Sequence, residues 1–214
     1  MRHEIGSLEE PGVLTPTVPL DIGVRSHRQR ILAAMARSCA EKSFAATTIG
    51  DIVKRASISR GTFYKHFKNK RDCFDATADA FLVELEAVAS EALTDAASPT
   101  DAIDRATAAV LERLAAKPAY ADLLLVEAPN VDPAIVLRYR SIVVAALDAL
   151  WRKGKEGKRA AADPELTFGR AKVLIVDHLA GGEAARLPSL HSELVYLALL
   201  PYIGHDKALK QARL

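Results

Sequence analysis

Residues 57–72 read SISRGTFYKHFKNKRD, and this stretch decides the fold. Two Phe, a Tyr, a His and five cations share its sixteen positions. A buried helix rejects the cations, and a solvated one gains nothing from the aromatics. The conflict disappears if the two kinds of residue occupy different faces. Phe63 and Phe67 are four apart and so share one side of a short helix. Gly61 and Lys65 fall roughly opposite, Thr62 and Tyr64 flank them, and His66 leans toward the Phe side. Ser59 is placed to cap the helix start.

Upstream, TTIGDIVKRA (47–56) offers Thr48 as an N-cap with Asp51 three residues on, a capping-box variant. Ile49, Ile52, Val53 and Ala56 then form a short apolar face, which Ser57 and Ile58 end. Further upstream, SHRQRILAAMARSCAEKSF (26–44) brings Ile31, Ala34, Met35, Ser38 and Cys39 together at helical spacing. A helix, a short helix, a tight turn and another short helix is the layout of a helix-turn-helix.

Charge supports the same division. Between residues 25 and 72 twelve Lys and Arg face three Asp and Glu, a net of +9 in a chain that totals +2. The remainder is mildly acidic, at −7. A basic head on an acidic body suits a polyanion partner.

Downstream, Asn69 and Asp72 pair at the start of a long helix whose apolar stripe is Phe74, Ala78, Phe81, Leu82, Leu85 and Val88. Ser98-Pro99, Asp132-Pro133 and Asp163-Pro164 each set an N-cap residue before a Pro at the first helical position, and Lys117-Pro118 marks one more boundary. These signals predict helices near 99–116, 119–127, 133–152, 164–181 and 189–203. No strand pattern competes. The expectation is an all-α fold of about nine helices, with a disordered tail over 1–24, a DNA-binding head over 25–72 and a helical body over 73–214.

Cys39 and Cys73 are the two cysteines and form no CxxC, so neither a disulfide scaffold nor a zinc site is expected, and no cofactor. No leader-like apolar region follows Met1, and LVYLALLPYIG (194–204) is far short of the ~20 residues that span a bilayer. The expectation is a soluble, cytoplasmic protein.

An α-helix fits the major groove of B-DNA, with its first residues at the base edges. Arg60, Thr62, Tyr64 and Lys65 line the outer face of the third helix. Gly61 costs a free helix about 1 kcal/mol, which close approach of backbone to DNA would offset. Thr48 and Lys70 stand where the second and fourth helices begin, and exposed N–H groups there favour phosphate.

The run TTIGDIVKRASISRGTFYKHFKNKRDCFDA (47–76) resembles the DNA-binding signature of the tetracycline-repressor (TetR/AcrR) family of bacterial transcription regulators. GTFYKHFKNK (61–70) carries most of its specificity. LLLVEAP (123–129), DPELTFGRAKVLIVDHLAGG (163–182) and ELVYLALLPYIG (193–204) are similar, less specifically, to C-terminal regions of that family. The resemblance implies phosphate contacts at Thr48, Tyr64, His66 and Lys70, and base reading at Arg60, Gly61, Thr62 and Lys65. Arg60 or Lys65 against guanine is the chemically favoured pairing. Plainer readings stay open: Tyr64 packed over the first helix, His66 as a partly buried structural group, Lys68 and Arg71 as solvated cations. Two positions depart from the family pattern. Ser57 stands where Gly is usual, at a cost of about 1 kcal/mol if the backbone there is left-handed. Gly50 lies inside the second helix and leaves it less rigid.

The resemblance further implies a body that binds a small-molecule effector and forms a homodimer through its last two long helices. The dimer would bind a palindromic double-stranded operator as a repressor and be released by effector. Apolar faces of Val173, Leu174, Val176 and Leu179, and of Leu194, Leu197, Ala198, Leu200 and Pro201, suit such an interface. Polar residues set in apolar helices, Tyr139, Trp151, Asp177 and His178, are candidate ligand contacts, or else core groups or dimer contacts. Asp177 and His178 lack a third ligand at metal-binding spacing. No nucleophile–base pair or phosphate loop suggests an enzyme. Activation rather than repression, or thiol redox sensing by Cys39 and Cys73, remain alternatives.

Overall fold

The computed structural model describes residues 26–94, 96–153 and 164–214, with the side chains of 148–153 and 164–165 outside the description. The tail expected over 1–24 lies outside the described residues. The head comprises α1 (His27–Ala46), α2 (Ile49–Ala56) and α3 (Arg60–His66). Then come α4 (Lys70–Leu93), α5 (Pro99–Ala116), α6 (Pro118–Asp122), a π-helical turn (Leu123–Glu127), α7 (Ala128–Val131) and α8 (Pro133–Lys153). α9 (Pro164–Ala180), a 3-10 segment (Ala184–Leu190), α10 (His191–Ile203) and α11 (His205–Ala212) complete the chain. No described residue is in a strand, and the fold is all-α.

The helix starts follow the sequence signals. Ser26, Thr48, Ser59, Asn69 and Ser98 each cap a helix by accepting a backbone N–H. The expectation of nine helices is low for two reasons. The predicted helix over 119–127 breaks into α6, the π-turn and α7. α11 follows Gly204, whose φ of 78° reverses the chain, and its inward side is only Ala208 and Ala212, too slight a pattern to predict. The expected head boundary at residue 72 falls in the first turn of α4, so one helix serves both parts.

Ile31, Met35, Ile52, Phe63, Phe67 and Phe74 are buried together and fix α1, α2 and α3 against α4. Ser57 is left-handed, at φ 52° and ψ 53°. Arg30 braces this turn: its guanidinium donates to the carbonyls of Ala56, at 2.7 Å, and Ser57, at 2.6 Å. Ser57→Gly should therefore stabilise the head by up to about 1 kcal/mol. In a thermal melt this is a rise of about 2–4 °C for a chain of this size; an unchanged or lower midpoint refutes the strain.

α1 is interrupted at Ser43, with φ 68° and ψ 162°. The break frees the Phe44 N–H, which donates to the Glu127 carboxylate at 2.7 Å. Lys70, at the start of α4, donates to the carbonyls of Phe44, at 2.7 Å, and Thr47, at 2.8 Å. The end of α1 thus joins the head, α4 and the π-turn. Among the described residues no helix is long and apolar enough to cross a membrane.

Candidate nucleic-acid interface and internal cavity

α3 is pinned by Phe63, which is fully buried, and by Phe67 just beyond its end, with ring centroids 5.7 Å apart. Its other side faces solvent. Arg60, Gly61, Tyr64, Lys65 and His66 are exposed, and Thr62 is half-buried. Tyr64 is 55% exposed and stands edge-on to Phe63 at 5.5 Å, so it does not pack over α1. His66 is exposed rather than a buried structural group. The Thr62 hydroxyl lies 3.0 Å from Ser59 Oγ, within the cap. A Cβ at Gly61 would meet only Ser59 Oγ, at 3.6 Å, so backbone is open to a partner there. A Cβ at Gly50 would make only ordinary contacts, with Thr48 Oγ1 at 3.4 Å and the Arg60 guanidinium at 3.7 Å.

The head's cations divide into two groups. Arg30 holds the turn, Lys42 pairs with Asp51 at 2.8 Å, and Arg55 pairs with Glu41. Arg71 is not the solvated cation expected: it bonds Asp75, the Val131 carbonyl and Asp132, tying α4 to α7. Arg60 and Lys65 have no such partner among the described residues. Arg37 on α1, Lys54 on α2 and Lys68 are exposed and likewise without an ion pair among the described residues, so α3 carries two of several free cations of the head.

Two expected phosphate contacts are already engaged. The Thr48 hydroxyl and N–H both donate to Asp51 Oδ2, at 2.7 and 2.9 Å. Lys42 and Thr48 hold the Asp51 carboxyl well below the usual carboxylate range. The capping box is thus intact above the ordinary carboxylate pKa and is lost only as pH falls through the depressed folded value. Lys70 needs a larger correction. Its ammonium faces α1's carbonyls and lies 4.1 Å from the Phe44 ring centroid, not turned toward solvent.

In the body, α4, α5, α8, α9 and α10 surround a partly open cavity of about 290 Å³. Its walls are mainly Leu, Ile, Val and Ala, with Tyr139 among them. Tyr139 is 4% exposed, and burial pushes its phenol up to about 12. Asp177 and His178 are not on the cavity wall: Asp177 is exposed, and the His178 ring lies 3.0 Å from the Leu174 carbonyl. The Trp151 side chain lies outside the described residues. Sequence reading missed the polar wall residues Glu86, Thr107, Thr167 and Lys172. They sit on three helices, α4, α5 and α9, and converge only through packing, so no local pattern signals them.

The expected dimer faces are partly internal. Leu179, Leu194 and Pro201 are buried within the protomer, and Leu194 and Ala198 line the cavity. Leu166 and Val173, seven apart on α9, are instead 56% and 57% exposed. The redox alternative loses its physical basis. Cys39 and Cys73 are both buried, and burial pushes their thiols up to about 11 and about 12. A redox sensor needs an accessible thiol of low pKa.

The sequence model of bacterial regulatory proteins of the tetR family matches residues 31–77, which cover α2, α3 and the adjoining parts of α1 and α4. Over these residues the chain is similar to the tetR family. Its helix-turn-helix is therefore that of a family of bacterial transcription regulators. It is 33% identical over 85 residues to the uncharacterized HTH-type transcriptional regulator YhgD of Bacillus subtilis (strain 168), covering 40% of this chain and 44% of YhgD. It is 40% identical over 47 residues to the HTH-type transcriptional regulator AcrR of Shigella flexneri, covering 22% of each. The chain thus spans less than half the length of these curated relatives. Similar solved structures cover far more. The fatty acid degradation regulator FadR of Bacillus halodurans matches with a TM-score of 0.71 at 17% identity, over 82% of this chain and 96% of that one. FadR of Bacillus subtilis in complex with stearoyl-CoA matches at 0.67 and 19%, over 81% and 97%. At these identities the likeness is one of fold.

Proposed function

We propose that this chain is a ligand-responsive transcriptional repressor that binds a palindromic operator as a homodimer in the cytoplasm. The observation that carries the reading is α3: a helix anchored by Phe63 and Phe67 whose exposed face holds Arg60, Tyr64 and Lys65, with its two cations unpaired. An anchored surface helix whose exposed face carries unpaired cations is suited to an anionic groove. We assign base reading to Arg60, Gly61, Thr62 and Lys65, and backbone contact to Tyr64 and His66. The N–H groups that open α2 and α4 take over phosphate contact from the side chains of Thr48 and Lys70. The head runs from residue 25 to 72 and the body from 73 to 214, with α4 shared between them. A two-turn helix reads few bases, so two heads about 34 Å apart are needed. The exposed Leu166 and Val173 of α9 support a dimer contact there.

The effector site is the internal cavity. The transcriptional regulator FadR of Bacillus subtilis, similar in fold, was solved in complex with stearoyl-CoA. Leu124 and Leu125 of the π-turn line the cavity, and Glu127 at the end of the same turn bonds the Phe44 N–H of α1. A ligand that displaces this turn shifts α1, and one that displaces α4 shifts the head from its other side. Such a ligand must favour the non-binding state, with a coupling of about 1–3 kcal/mol.

The test is binding to the DNA upstream of the chain's own gene. Arg60→Ala should relax sequence preference at one base pair per half-site, by about 1–3 kcal/mol, measured by selection from a randomised duplex pool. Unchanged preference and affinity in both Arg60→Ala and Lys65→Ala removes the reading.

A further inference from the structure

The cavity wall is mainly apolar, with Tyr139, Glu86, Thr107, Thr167 and Lys172 as its polar members. The Tyr139 hydroxyl is buried and has no hydrogen-bond partner among the described residues. Buried hydroxyls are nearly always paired, because an unpaired one forfeits its bond to water. The Tyr139 ring packs against Phe168, 5.7 Å between centroids, and the Lys172 ammonium lies 5.9 Å from its ring centroid. Phe168 and Lys172 also line the cavity. The ammonium can only donate and the phenol can donate, so a single acceptor placed between them would serve both. Glu86 is the one carboxylate on the wall, and it makes no hydrogen bond to Tyr139.

We propose that the cavity binds a molecule with an apolar skeleton of about ten carbons ending in one oxygen acceptor, a carboxylate or a ketone carbonyl, which accepts from the Tyr139 hydroxyl. The size follows from the 290 Å³ volume at about 30 Å³ per water-sized group. A carboxylate draws on Lys172 as well; a ketone needs only Tyr139. This rests on the reading of the cavity as the effector site, and it names the effector's class.

The test uses the full chain with decanoate, 2-decanone and decyltrimethylammonium, each below its micelle concentration, followed by calorimetry and thermal shift. Decyltrimethylammonium matches the chain length but carries no acceptor. Decanoate or 2-decanone should bind and decyltrimethylammonium should not. Binding of decanoate alone, lost in K172M, identifies the carboxylate; binding of both identifies the carbonyl. Y139F should weaken the acceptor-headed ligand about 5–10-fold. It should leave the melting temperature of the unliganded protein equal or higher, since an orphan hydroxyl has been removed. The proposal is overturned if none of the three binds, if the ammonium binds as well as the others, if Y139F leaves affinity unchanged, or if Y139F alone lowers the melting temperature. The same samples are assayed on upstream DNA. Ligand binding without DNA release supports the ligand class and sinks effector control. Intact DNA binding with no ligand binding sinks the ligand class alone.

Discussion

Phe63→Ala should destabilise the head by about 3–5 kcal/mol, the cost of emptying a large buried aromatic site. Phe63 is fully buried, and its ring sits within 6 Å of those of Tyr64 and Phe67. Little else holds α3: it has seven residues and contributes one fully buried side chain. A whole domain is stable by only about 5–15 kcal/mol, so such a loss removes the helix that faces DNA before it unfolds the body. The expected record is a urea curve with an early transition and no DNA binding at the temperature where the parent protein binds. Tyr64→Ala is the control. Its side chain is exposed, so stability should move by no more than about 0.5 kcal/mol while DNA affinity falls. If Phe63→Ala melts as the parent does, the two faces of α3 have been exchanged and the interface lies elsewhere.

Those two faces were legible from sequence because spacing alone sets them. Phe63 and Phe67 must share a side, and Lys65 cannot join them. The caps were legible for the same reason: Thr48, Ser59, Asn69 and Ser98 act within three or four residues of themselves. What was not legible depends on distant partners. Lys70 read as a phosphate contact and nothing near Arg30 in sequence gives it a role, yet each reaches carbonyls more than twenty residues upstream or downstream. Tyr139 was legible as a polar group in an apolar helix. Its neighbours Lys172 and Thr167 were not, since α8 and α9 meet only in the folded body. Leu194 and Leu179 read as a dimer face because an apolar stripe does not say whether its own chain or a second copy covers it.

Lys70→Met should lower the melting temperature and leave the salt dependence of DNA binding unchanged. The ammonium has three donors, and the carbonyls of Phe44, Ala45 and Thr47 lie 2.7, 3.4 and 2.8 Å away. These are the carbonyls that the end of α1 leaves without helical partners. Met keeps the length and most of the apolar stem over Phe44 but removes every donor. Hydrogen bonds to a charged group contribute about 1.5–3 kcal/mol, which sets the expected loss. DNA affinity then falls only as far as the head unfolds, and recovers on cooling. Lys65→Ala should behave in the opposite way. Its side chain is exposed and unpaired, so the melt stays put, while the slope of log affinity against log salt shrinks by about 0.9 per phosphate neutralised. The pair of variants separates two uses of a lysine that sequence alone treats as one. If Lys70→Met leaves the melt unchanged and flattens the salt slope, the ammonium leaves α1 for a phosphate in the complex, and the end of α1 is held by Glu127 and Phe74 without it.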